Sequence, residues 1–324
     1  MRPASINPQA GGSRKPAWLT GLVWLTRVAP RGRYRFMDAV ARRWPTSFID
    51  TMGASGGRVR YLCDLADDIA REVCFMGYYE PLETVLVRDW LRPGNSFVDV
   101  GANWGYFSLL AADLVGPSGR VVGCEPHPVL FDLLQRNFVL NQFLCAKAMP
   151  LAIANQPGEL FLAGFEGLHH GNRGVSYLTD QAVAGSVLHR VRVDTLDAVL
   201  SAAGWGASQV DLLKIDIEGA EAMVLPALRE DFRRARFRLV LLELHPHKWE
   251  APAAKSKQLV ELLTQNGYRA YRLDHSAATS RRVSYSLPSS LRGMVHPLDL
   301  SAGLDSWPHL LFSAPGVDLP WELG

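Results

Sequence analysis

The chain has 324 residues, 48% of them hydrophobic and 20% charged, which is ample apolar material for a large core and excludes disorder as the main state. The formal net charge of +2 is unevenly spread: residues 1–37 hold seven basic side chains and no acidic one, leaving 27 basic against 32 acidic residues in the rest. A mildly acidic body is a poor receptor for a polyanion, so no nucleic-acid partner is expected. Cys63, Cys74, Cys124 and Cys145 form no C-x-x-C pair and no metal-type cluster with histidine. Free thiols fit a reducing, cytoplasmic setting, and no metal is expected.

Residues 1–15, rich in Pro, Gly, Ser and Asn, read as an irregular start, and residues 17–44 read as helical. The apolar stretch AWLTGLVWLT ends after ten residues at Arg27, about half the length of a spanning helix. It lacks the small-x-small cleavage site of a signal peptide. Two readings of this basic arm, residues 1–45, remain open. Its Trp18, Leu22 and Leu25 face packs on the body, or the arm makes a weak contact with an anionic membrane surface.

The remainder, 46–324, reads as one domain. VRYLCDL and REVCFMGYY, separated by the polar ADDIA, predict a β-hairpin over about 57–80, and a core from about 81 to 324 follows. ETVLVRDWL predicts a helix. SFVDV, a helix over about 106–115, RVVGCE, a helix over about 129–140 and AKAMPLAIA then alternate as βαβαβ, the pattern of an α/β fold with a mostly parallel sheet covered on both faces. ELFLA and VLHRVRV predict two strands around a long polar loop, 164–185. TLDAVLSAAG, GAEAMVLPALRE and AKSKQLVELLTQ predict helices, and VDLLKID, RFRLVLLELH, YRAYRLDH and HLLFSAP predict strands. More than thirty residues without clear periodicity precede the last strand.

Three clusters carry chemistry. In FVDVGANWGYFS a strand ends at Asp99, Gly101 and Gly105 bracket a tight turn, and a helix begins, so backbone N–H groups face whatever binds there. The dinucleotide register G-x-G-x-x-G falls on Gly101, Asn103 and Tyr106, and two missing glycines disfavour a pyrophosphate. Glu125 ends the second strand, 24 residues after Gly101, where a carboxylate can accept from both hydroxyls of a ribose, and Pro126 stops the strand behind it. In VDLLKIDIEGAE, Lys214, Asp216 and Glu218 alternate at the end of a buried strand: either an ion-pair network or a polar wall of an active site. In LLELHPHKW, Glu243 and His245 share a face, and His245 is a candidate general base that Glu243 would orient. His169, His170 and Asn172 lie in the polar loop as weaker candidates.

Taken together, GYYEP (77–81), FVDVGANWGYFSLLAA (97–112), GCEPHPVLFDLLQRNFVLN (123–141), DTLDAVL (194–200), VDLLKIDIEGAEAMVLPAL (210–228) and LLELHP (241–246) resemble the FkbM family of S-adenosylmethionine-dependent methyltransferases. The resemblance implies a Rossmann-like class I methyltransferase fold with S-adenosyl-L-methionine as cofactor. It implies methyl transfer, commonly to a hydroxyl of a sugar, glycan or other small-molecule natural product. Carried onto this chain, it places Glu80, Asp99, Gly101, Ala102, Asn103, Gly105, Glu125, Pro126 and Asp216 around the cofactor. Asp216, Glu218, Glu243 and His245 would carry catalysis. Cys124 stands where the family usually has an aromatic residue. Two rivals predict otherwise: a nicotinamide oxidoreductase needs a pyrophosphate-compatible turn, and a non-catalytic scaffold would lack the polar residues at the strand ends.

Overall fold

The computed structural model describes residues 14–28, 32–165, 177–179, 186–284, 286–304 and 307–321. The arm forms two helices, α1 (Ala17–Val28) and α2 (Arg33–Arg43), and Gly32 between them takes φ 77°, a conformation glycine enters without penalty. Then come β1 (Ser47–Thr51) and β2 (Arg60–Asp64), paired antiparallel, followed by α3 (Asp68–Met76) and α4 (Pro81–Trp90).

The hairpin predicted over 57–80 is therefore corrected: β2 pairs backwards with β1, and REVCFM lies in a helix. The ADDIA segment is the helix start, because Asp67 caps it by accepting from the Ala70 N–H, and Gly77 at φ 89° ends it. Ile69, Ala70, Val73 and Cys74 fall on the buried side at helical spacing, a pattern too short to tell from a strand by eye. Cys63 and Cys74 are free thiols.

The arm belongs to the core, though not by the expected face. α1 buries Leu19, Val23 and Thr26 beside α3, leaves Leu22 half-buried, and exposes Trp18, Trp24 and Leu25. α2 buries Met37, Val40 and Ala41 while Tyr34 and Phe36 face outward.

The central domain runs β3 (Ser96–Val100), α5 (Tyr106–Val115), β4 (Arg120–Cys124), α6 (Pro128–Asn141) and β5 (Ala146–Met149). A second sheet follows, with β6 (Ala152–Ile153), β7 (Gly158–Phe165), β8 (Tyr177–Thr179) and β9 (Ser186–Asp194) in the order β6-β9-β7-β8. Next are α7 (Leu196–Ala202), β10 (Leu212–Ile215), α8 (Glu221–Ala227), α9 (Arg229–Arg233), β11 (Leu239–Glu243), α10 (Pro252–Thr264), β12 (Arg269–Leu273), α11 (Ala277–Val283), β13 (Val295–Pro297) and β14 (His309–Ser313). The segment before the last strand thus carries a helix and a strand of its own, and it buries Val283, Leu291 and Met294.

Eight strands form the main sheet in the order β5-β4-β3-β10-β11-β14-β12-β13. β14 runs antiparallel between β11 and β12, and β5, β4, β3, β10 and β11 are mutually parallel. Strand order reverses between β3 and β10, so a crevice opens beyond their carboxyl ends. Register there sets Asp99 opposite Lys214. Two apolar layers cover the faces, one holding Leu109, Leu110 and Leu134 with the arm, the other Val224, Leu225 and Leu259.

Candidate active site

The pocket in this crevice is lined by Glu80, Asp99, Gly101, Ala102, Asn103, Glu125, Pro126, Asp216, Glu218 and Glu243, all named from the sequence. Lys214, also named there, lines it too, and Tyr79, Leu151, Ile153, Leu162, Leu178 and Trp307 join them. Gly105 lies outside the lining and acts on the turn itself, at φ 103° as the residue before α5.

At one end the chain folds tightly around a carboxylate. Glu125 accepts from the backbone N–H of Asn103 through Oε2 and from that of His127 through Oε1, both at 2.8 Å. Each oxygen keeps a lone pair for a further donor. Burial, only partly offset by these bonds, raises its pKa to about 7. Asn103 sits at φ 54°, and a Cβ on Gly101 (φ 89°) would lie 1.8 Å from the carbonyl oxygen of Asp216, so the turn closes against the end of β10. Asp99 is buried, accepts from Ser108 Oγ at 2.6 Å, and leaves Oδ1 without a hydrogen-bond partner.

At the other end charged side chains converge. Lys214 Nζ contacts Asp216 Oδ2 at 2.9 Å and lies 5.0 Å from the centre of the Phe107 ring. Burial opposes the Lys214 charge, but Asp216 and Asp99 outweigh it and hold the ammonium protonated. The strand ends at Ile215, so Glu218 does not continue its alternation. It reaches the pocket from a loop at φ 52°. Burial lifts the carboxyl of Glu218 above its ordinary range and that of Glu243 to about 8, the latter aided by repulsion from Asp216.

His245 differs from the expectation. Its ring is fully buried and Nδ1 pairs at 2.9 Å with Glu221, itself buried, so Glu221 rather than Glu243 orients it. Burial pulls its pKa down, yet the Glu221 bond and the carboxylates around it raise the value to about 9. The imidazole lies behind Asp216, Glu218 and Glu243, which line the pocket while it does not, and its Nε2 faces these three carboxylates.

Further residues were missed because only tertiary contact brings them here. Trp307 Nε1 donates to Glu243, and buried Glu83 pairs with His275 at 2.8 Å and His309 at 2.9 Å. Burial favours the neutral Glu83 carboxyl, but the two imidazoles overcome it and hold the pKa well below the ordinary carboxylate range. The loop candidates His169, His170 and Asn172 lie outside the described residues.

A parallel sheet in this order, a glycine turn with a ribose-type carboxylate after the second strand, and a polar wall across the crevice define a class I S-adenosylmethionine-dependent methyltransferase. Residues 99–270 match the Methyltransferase FkbM domain. Methyltransferase sdnD of Sordaria araneosa is 31% identical over 200 residues, covering 54% of this chain and 74% of that protein. The 31-O-demethyl-FK506 methyltransferase FkbM of Streptomyces tacrolimicus is 31% identical over 179 residues, covering 48% of this chain and 67% of that protein. The solved structure of methyltransferase FkbM from Methylobacillus flagellatus KT aligns at 14% identity over 81% of this chain and 57% of that one, with a TM-score of 0.39. The chain belongs to the FkbM methyltransferase family.

Proposed function

We propose that this methyltransferase acts on a hydroxyl oxygen of a sugar, glycan or other natural product. S-adenosylmethionine supplies an electrophilic methyl group on a cationic sulfonium. The residues fit it: Glu125 has lone pairs for the ribose hydroxyls, the turn 101–105 presents backbone, and the unpartnered Oδ1 of Asp99 awaits a donor.

The observation that carries the acceptor reading is the group of carboxylates at the far end of the pocket. A hydroxyl entering there must lose its proton, and the pocket position and raised pKa of Glu218 support it as the group that takes it. Asp216, held by Lys214, faces the cationic end of the cofactor. Glu218→Gln should lower kcat by roughly 10²- to 10⁴-fold, the loss of a general base, with S-adenosylhomocysteine affinity within a few fold. Incubating hydroxylated glycans and polyketides with methyl-labelled cofactor and locating the label tests the acceptor, and label on nitrogen overturns the O-methyl reading.

The arm supports a membrane-surface contact. Trp18, Trp24, Leu25, Tyr34, Phe36 and Trp44 are each exposed, as are Arg35, Arg42 and Arg43, and the Trp18 and Trp44 rings meet at 5.4 Å. Aromatic rings with flanking cations suit a lipid–water interface of anionic composition. Among the described residues no helix is long and apolar enough to cross a membrane. Flotation with phosphatidylglycerol vesicles should carry the protein, and Trp18→Glu with Trp24→Glu should abolish it; equal flotation of the variant removes the reading.

A further inference from the structure

We propose that Asp216 Oδ1, Glu243 Oε1 and His245 Nε2 form a divalent-cation site at the floor of the acceptor end, suited to Mn²⁺ or Zn²⁺ rather than Ca²⁺. The inference deepens the methyl-transfer reading, since the ion would lie where that reading brings the acceptor.

The starting point is His245 Nε2, a fully buried atom with no hydrogen-bond partner. It is aimed into a ring of oxygens: Asp216 Oδ1 at 3.9 Å, Glu218 Oε2 at 3.7 Å and Glu243 Oε1 at 3.7 Å. These separations exceed a hydrogen bond, so the groups do not satisfy one another. Ligands bound about 2.1 Å from one ion stand roughly 3 to 3.5 Å apart, so each of these oxygens needs a shift of only a few tenths of an ångström to reach that separation from Nε2. Ligand atoms of Asp216, Glu243 and His245 already lie within 4.8 Å of one another.

The surroundings support the same reading. Nδ1 of His245 is held at 2.9 Å by the buried Glu221, the carboxylate–imidazole arrangement that fixes a ligating histidine from behind. Lys214 takes only Oδ2 of Asp216 and leaves Oδ1 to the cluster, and Glu243 Oε1, which accepts from Trp307 Nε1, keeps a second lone pair for an ion. Lys248 stands 3.9 Å from Glu218 and is not within hydrogen-bond reach. Asp216, Glu218 and Glu243 line the pocket, so an ion has a route in from that side. An imidazole with two carboxylates suits Mn²⁺ or Zn²⁺, whereas Ca²⁺ prefers six to eight oxygens. The rival occupant of the same space is a proton on Nε2.

The test uses the purified full chain after chelator treatment, titrated with Mn²⁺ while the free-ion electron paramagnetic resonance signal is followed, and with Zn²⁺ by calorimetry. Affinity for S-adenosylhomocysteine is measured on the same sample. One Mn²⁺ per chain is expected, weakened at least about tenfold in both His245→Gln and Glu243→Gln, with the melting temperature rising with Mn²⁺ in the wild type. Glu243 reaches the pocket surface, so its variant carries the test if the buried His245 variant fails to fold. No saturable binding of either ion, or binding unchanged in the folded variants, overturns the site and assigns the space to the proton. Cofactor-product binding with no ion overturns the ion site alone, whereas ion binding with no cofactor-product binding overturns the methyl-transfer reading alone.

Discussion

Where β3 passes into α5 and β4 into α6 the pocket wall is backbone, with the N–H groups of Asn103 and His127 closing on Glu125. Where β10 and β11 end it is charged side chains, Lys214, Asp216, Glu218 and Glu243, supported from behind by His245 and Glu221. The first construction suits a ligand common to a whole class, because backbone geometry depends little on which side chains surround it. The second depends on several charges compensating one another at low dielectric, and a changed partner changes the chemistry at once.

Gly101→Ala gives the largest expected effect. The new Cβ would meet the Asp216 carbonyl oxygen at 1.8 Å, and φ 89° is unfavourable for alanine. Destabilisation of more than about 3 kcal/mol in urea, with loss of cofactor binding, is expected. A stable variant that still binds would mean that the two ends are not packed against each other.

Lys214→Met tests the charged end. It leaves Asp216 and the buried Asp99 without their cation, and a cost of about 3 to 5 kcal/mol is expected, as for breaking a buried ion pair from one side. Adding Asp216→Asn should recover part of that loss. If the double variant is no more stable than the single one, the charges at this end do not act as a compensated set.

A smaller effect sharpens the backbone end through pH. The Glu125 pKa is raised to about 7, so the folded chain holds this proton more tightly than the unfolded chain, whose carboxyl titrates at its ordinary value of 4.5. Its contribution to stability is therefore greatest at low pH and declines as pH rises from about 4.5 to about 7. If Glu125 is the ribose ligand, cofactor affinity should move the opposite way, because its carboxylate would accept from both ribose hydroxyls. S-adenosylhomocysteine should bind up to roughly tenfold more tightly at pH 8 than at pH 6. Glu125→Gln should flatten that dependence in calorimetric titration and weaken binding at pH 8 by roughly 1.5 to 3 kcal/mol. A wild-type profile already flat would remove Glu125 as the ribose ligand.

The alternation of strands and helices, the glycine turn and the carboxylate after the second strand were legible from the residues alone, because each depends on spacing within one or two adjacent elements. Asp216 and Glu243 were legible as strand-end polar residues that buried strands do not tolerate without a reason, whereas Glu218, named by the same alternation, reaches the pocket from a loop after the strand has ended at Ile215. α3 was not legible as a helix: a short apolar run satisfies both periods, and the Asp67 cap together with packing under α1 decides it. The face by which the arm docks was settled by α3, which takes Leu19 and Val23 and leaves Trp18 outside. The pairing of His245 with Glu221, the approach of Trp307 to Glu243 and the Glu83–His275–His309 group depend on which strands become neighbours. Charges identify themselves in a sequence, but their partners are set by sheet order, and here β14 running back between β11 and β12 brings His309 and Glu243 into register.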